Sequence, residues 1–186
     1  MNQRSLLALG AVIILASAAY YIVFMGGRSD EDAEALTVTS TAFEDGETIP
    51  VLYTRDGNNV SPQIAWSSVP EETRSIALTC VDVDAPGGSF THWVIFNIPL
   101  GQTELPENTP TFPVLENMVM NGLNDYKGVG YDGPSPPSGE THRYVFTVYA
   151  LDTILNLETG TTRMDLLGAM AGHILARGVL TGTYTG

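Results

Sequence analysis

The chain opens on a block with no polar face. Residues 6–25 carry no charge, and Leu, Ile, Val and Ala dominate them. As a helix such a run spans about 30 Å, the thickness of a bilayer's hydrocarbon core. It predicts an N-terminal transmembrane helix with Tyr20 and Tyr21 near an interface. A cleaved signal peptide is the competing reading, because Ala16-Ser17-Ala18 has the A-x-A form of a cleavage site. Arg4 and Arg28 flank the run almost symmetrically, and the signal-like pattern favours an inside N-terminus. Both readings put the rest of the chain outside the cytoplasm, either membrane-anchored or secreted. Residues 1–28 are therefore assigned to the anchor (or signal peptide). Residues 29–35, with Asp30, Glu31, Asp32 and Glu34, form an acidic, solvated linker, and 36–186 one folded domain.

Within the domain the pattern changes to short β-rich runs bounded by Gly, Pro, Asn and Asp. Residues 36–41, 49–53, 75–82, 92–98 and 143–151 predict strands. The run Ser-Ile-Ala-Leu-Thr-Cys-Val-Asp at 75–82 is apolar enough for a central strand. One amphipathic helix stands out. Thr162 and Asp165 have capping-box spacing, and Leu166, Leu167, Met170, Ile174 and Leu175 recur near helical spacing, with Gly178 as its C-cap. Many strands with one late helix predict a mostly β domain, an antiparallel sandwich or barrel with peripheral helices.

Composition narrows the function classes. The 186 residues carry 8 basic and 21 acidic side chains, a net charge of −13, which disfavours general nucleic-acid binding. Cys80 is the one cysteine, so no intrachain disulfide and no multi-cysteine zinc site can form. In an apolar strand it reads as an inert core thiol, and Trp66 and Trp93 read as packing residues. His173 reads as a brace in the helix region, and Asn59-Val60-Ser61 is an isolated glycosylation sequon followed by Pro62.

Two segments combine reactive side chains with rigid turn residues. Asp82 and Asp84 stand two apart where a strand ends, so they share a face, and His92-Trp93 follows after Pro86-Gly87-Gly88. Residues 130–139 form a Gly- and Pro-rich loop able to offer backbone N–H groups to an anion, and His142, Arg143 and Tyr144 follow it. Asp82 can hold a histidine in one tautomer and raise its pKa, which predicts anion binding that strengthens as pH falls. A self-satisfied polar core pair is the plainer alternative for Asp82 and His92.

These motifs resemble those of the phosphatidylethanolamine-binding protein family, also called Raf kinase inhibitor-like, in its prokaryotic branch. The resemblance rests on Gly57-Asn58-Asn59-Val60-Ser61-Pro62, Asp82-Val83-Asp84-Ala85-Pro86, His92-Trp93-Val94, residues 133–144 and residues 169–184, in that order. It implies a β-sandwich with a small pocket for phosphate-like anions or phospholipid headgroups. By that resemblance Asp82, His92, His142 and Tyr144 line the pocket. Tyr131, Ser135 and Pro136 close it, and Asp84, Pro86 and Arg143 brace it. Two departures from the family pattern are Ser135, where many prokaryotic relatives have Cys, and Glu140, a carboxylate near the mouth.

The resulting expectation is a membrane-tethered, non-enzymatic binding protein with no cofactor and no metal. One alternative is an inhibitor of a protease or kinase acting through exposed loops such as residues 101–113, as some relatives in the family act. Another is a metal-dependent hydrolase using Asp82, His92 and His142. No serine sits in a G-x-S-x-G elbow.

Overall fold

A computed structural model describes residues 33–186. The transmembrane or signal segment and most of the acidic linker lie outside the described residues. Among the described residues no helix is long and apolar enough to cross a membrane.

The strands are β1 (Glu34–Ala35), β2 (Thr37–Thr39), β3 (Ile64–Ser67), β4 (Ser75–Asp82), β5 (Phe90–Ile98), β6 (Glu104–Leu105), β7 (Met120–Asn121), β8 (Thr141–Leu151) and β9 (Ile174–Thr185). Six of them form one sheet in the order β1-β9-β8-β4-β5-β7, and three form a second in the order β2-β3-β6. All pairings are antiparallel except β1 with β9, which is parallel. The end of the acidic stretch therefore joins the large sheet, with Glu34 opposite Ala176.

The apolar run of β4 has a direct cause. All eight of its residues are buried, because both faces of the large sheet are covered. One face carries Cys80, Trp93, Tyr144 and Phe146 against Ile64 and Trp66 of the small sheet. The other carries Ala77, Val94 and Phe96 against Leu166 and Met170 of helix α1 (Arg163–Met170). A strand covered on both sides loses polar–apolar alternation and reads as a continuous apolar run.

Two sequence expectations are corrected. Residues 49–53 are not a strand: Val51–Tyr53 form a single 3₁₀ turn, with the Tyr53 N–H donating to the Pro50 carbonyl at 3.0 Å. The ring of Pro50 holds φ at −57°, which suits a turn, and supplies no N–H to a ladder. The predicted helix is real at its start, where Thr162 and Asp165 make the full capping box. It ends at Met170, and Ile174 and Leu175 belong to β9, where Gly178 is a strand residue. A ladder running from Thr141–Thr185 to Leu151–Ile174 outcompetes further helix, since β8 would otherwise keep an unpaired edge.

Candidate ligand-binding site

The site forms where β4, β5 and β8 end together. Asp82 is opposite Tyr144 on β8 and opposite Phe90 on β5. His142 lies two residues before Tyr144, so it shares the face of Asp82 and sits diagonally across from it. His92 reaches the same place by a different device. Cys80 pairs with Trp93 and Val81 with Thr91, so His92 is the extra residue of a β-bulge. A bulge breaks the alternation of side chains and re-aims them. It brings His92 over Tyr144, with ring centroids 5.2 Å apart, while the adjacent Trp93 packs in the core against Tyr131.

Together these strand ends and the 134–137 loop enclose a hollow of about 330 Å³. Asp82, Pro86, His92, Ser135, Pro136 and His142 all line it. Tyr131 and Tyr144 do not. Tyr131 is buried in the core with its hydroxyl donating to the Tyr53 carbonyl at 2.7 Å, and Tyr144 is fully buried. The Tyr144 hydroxyl has no hydrogen-bond partner among the described residues. Phe90 and Tyr126 line the hollow as well. No local signal marks Tyr126 in the sequence; it arrives through a turn and stacks edge-on against Phe90, with centroids 4.7 Å apart.

The loop that floors the hollow is buckled from behind. Asn59 donates through Nδ2 to Asp132 Oδ1 at 2.9 Å and accepts at Oδ1 from the Gly133 N–H at 2.7 Å. Gly133 must be glycine, since a Cβ there would lie 2.3 Å from the Tyr53 carbonyl oxygen. Asn59 of the 57–62 motif thus holds the pocket loop, and the motif does not line the hollow. Asp84 braces the other side. Its carboxylate accepts from Arg143 Nε at 2.8 Å and Nη2 at 2.7 Å, which holds its pKa down at about 2.

The two pocket histidines are held in opposite ways. His92 donates from Nδ1 to the Asp132 carbonyl at 2.6 Å, since a carbonyl can only accept. Burial lowers its pKa, against the opposing pull of that carbonyl and of the Asp82 and Asp132 charges. Its neutral ring therefore leaves Nε2 as an acceptor. His142 has a carboxylate at each nitrogen: Asp82 Oδ2 at 2.7 Å from Nδ1 and Glu140 Oε2 at 3.3 Å from Nε2. A carboxylate can only accept, so bonds at both nitrogens are the arrangement that favours the charged ring. Burial opposes that charge, but the bonds to Asp82 and then Glu140 outweigh it and raise the pKa. Asp82 thus serves His142, where the sequence paired it with His92.

Other candidates fall into place. Cys80 is fully buried, and desolvation with the Asp82 charge pushes its thiol well up, so little thiolate forms. His173 is not in the helix; it follows it and pairs with Asp152 through Nδ1 at 2.7 Å, exposed and remote in sequence from its partner. Among the described residues no group of three or more His, Cys, Asp or Glu side chains could hold a metal ion, and Asp82, His92 and His142 are no such set.

Comparison with known proteins bears on the family and the fold. Residues 39–185 match the sequence profile of the family described as phosphatidylethanolamine-binding protein. A UPF0098 protein of Methanothermobacter thermautotrophicus is 49% identical, with 80% of this chain and 98% of the relative covered. YbhB of Escherichia coli is 37% identical, covering 81% of this chain and all of the relative. Among solved structures, the Chlamydia trachomatis homologue CT736 superposes with a TM-score of 0.75 at 38% identity, over 83% of this chain and 99% of its own. Escherichia coli YbcL gives 0.74 at 30% identity, over 81% and 98%. A bulged histidine, a carboxylate-held histidine and a Pro-rich floor thus stand in a sandwich shared with these proteins, and the chain belongs to the phosphatidylethanolamine-binding protein family.

Proposed function

We propose that the hollow binds an oxyanion of phosphate type, as a non-enzymatic recognition site. One observation carries this reading: two buried histidines on one hollow have opposite partners, a backbone carbonyl for His92 and two carboxylates for His142, and these partners with burial shift their pKa values in opposite directions. His142 supplies a charged N–H donor, and His92 supplies a neutral acceptor. A phosphate bearing one P–OH complements both, giving an oxygen anion to His142 and a hydroxyl to His92. Ser135 on the hollow adds a neutral hydroxyl. Phosphate chemistry can come from a free phosphoryl compound or from a lipid headgroup, and the name of the family favours testing both. The uncharged run at residues 6–25 supports a domain tethered to a membrane and facing away from the cytoplasm.

Calorimetry on the full chain tests the reading with inorganic phosphate in one arm and phosphatidylethanolamine-containing vesicles in the other. Saturable phosphate binding is expected, weakened at least about tenfold by His142→Asn, which removes the charged donor. Binding to vesicles that free phosphate abolishes assigns the headgroup as a source. No saturable signal in either arm rejects the reading.

A second reading, inhibition of a protease or kinase through surface loops, is favoured by the exposed apolar rim near residues 101–113. Phe112 is 70% exposed there, and so is Met118. Inhibition that survives loss of both pocket histidines would favour it.

A further inference from the structure

Glu140 is the side chain at the site that oxyanion binding does not use. The backbone beneath it is pinned. Its N–H donates to the Pro137 carbonyl at 3.0 Å, closing a four-residue turn with Gly139 at φ +81°. That is the third position of a type II turn, where a positive φ selects glycine. The Gly139 N–H donates to the Gly186 carbonyl at 2.9 Å, and the Thr141 and Thr185 hydroxyls meet at 2.8 Å. The side chain, in contrast, is 58% exposed, while His142 below it is 4% exposed. A carboxylate on a fixed backbone with an open stem can leave the imidazole by rotamer change alone.

The two nitrogens of His142 are not equivalent to a guest. Nδ1 is bound to Asp82 within the buried pair, so only Nε2 remains for a ligand, and Glu140 occupies it. We propose that Glu140 is an internal competitor for the oxyanion, which a guest must displace from His142 Nε2 before it can bind. The inference rests on the oxyanion reading above and concerns selectivity at that same hollow. A tethered carboxylate competes at an effective concentration of millimolar order or above. Simple carboxylic acids, which offer the same group at lower concentration, are therefore shut out. A phosphate, with oxygens for His142 and a hydroxyl for His92, outbids it.

Several ionisable groups surround the ring. Asp82 and Glu140 hold its nitrogens, Asp84 feels its charge, and Tyr184 stands opposite it on β9. His92 and Tyr126 complete the same hollow.

The test measures inorganic phosphate and acetate binding to the full chain by calorimetry, together with the His142 pKa by NMR, in the native chain, Glu140→Gln and Glu140→Ala. At about pH 6, Glu140→Ala is expected to bind phosphate about two- to fivefold more tightly, the range for loss of a half-exposed ionic competitor. Glu140→Gln is expected to fall between, acetate to bind only to the variants, and the His142 pKa to drop in Glu140→Ala. Unchanged or weaker phosphate binding by Glu140→Ala, with the native chain binding normally, overturns the competitor role and leaves the oxyanion reading standing. An unchanged His142 pKa overturns the contact itself. A lowered His142 pKa with no phosphate binding to any of the three proteins instead rejects the oxyanion reading, and the competitor role falls with it.

Discussion

The hollow beside residues 102–119, of about 530 Å³, is larger than the one of about 330 Å³ between Asp82, His92 and His142, yet the two are built on opposite principles. The larger is framed by Leu105, Pro106, Phe112, Val114, Leu115 and Val119, with Glu116 as its one ionisable lining residue. Phe112 and Val114 on its rim are in water already, so a guest there gains area but meets few directed bonds. The smaller hollow holds Asp82, His92 and His142, each less than a twentieth exposed and each hydrogen-bonded to a named partner. Burying an imidazolium beside a carboxylate costs desolvation that their attraction often fails to repay. The buried pair is therefore weak evidence for stability, which leaves room for the proposed recognition role. Volume reports where loops leave space; held protonation states report chemistry.

The comparison can be broken most severely at Asp82. Asp82→Ala leaves the buried His142 charge with only the exposed Glu140, and removes the acceptor of the Asp84 N–H. Removing one partner of a buried pair costs about 3–5 kcal/mol, so urea denaturation should show a loss of that order. A loss below about 1 kcal/mol would mean the pair is not buried in solution.

A smaller effect follows from the opposite shifts of the histidines. The pKa of His142 is raised, so its contribution to stability is complete below the ordinary value near 6.5 and is lost as pH rises through the raised value. That of His92 is lowered, so its contribution is present above that ordinary value and is lost as pH falls. Denaturation midpoints measured from pH 6 to 9 should decline on the alkaline side in the native chain, and that slope should vanish in His142→Asn. A slope that persists would assign it to another group.

The smallest effect belongs to the larger hollow. Phe112→Ser alters a side chain that is 70% exposed, so stability should change by no more than about 0.5 kcal/mol and phosphate affinity not at all. A change in phosphate affinity would join the two hollows into one functional surface.

Of the nine strands among the described residues, β2, β4, β5 and β8 were legible, the last three because their burial leaves a mark on composition. Residues 75–82 read as a strand and are β4 to the residue, since a strand covered on both faces reads as a mostly apolar run. β9 was misread because Leu166 to Leu175 happens to suit a helix, and only pairing with β8 decides the conformation past Met170. β3 gave little signal, being four residues long with its partners distant in sequence.

For the site, residue types beside turn-rich loops singled out the two segments that carry Asp82, His92 and His142, and the family resemblance put the three in one pocket. Which carboxylate serves which histidine was beyond the sequence. It depends on strand register, which sets Asp82 diagonal to His142, and on a bulge at His92 that no composition announces. The departure of Tyr144 and Tyr131 from the pocket lining has the same origin, since one face of a strand can look into the core or into a hollow depending on what packs above it. Local sequence chose the elements and supplied the chemistry; protonation states and partners were decided only when distant strands met, because hydrogen bonds and desolvation act between neighbours in space.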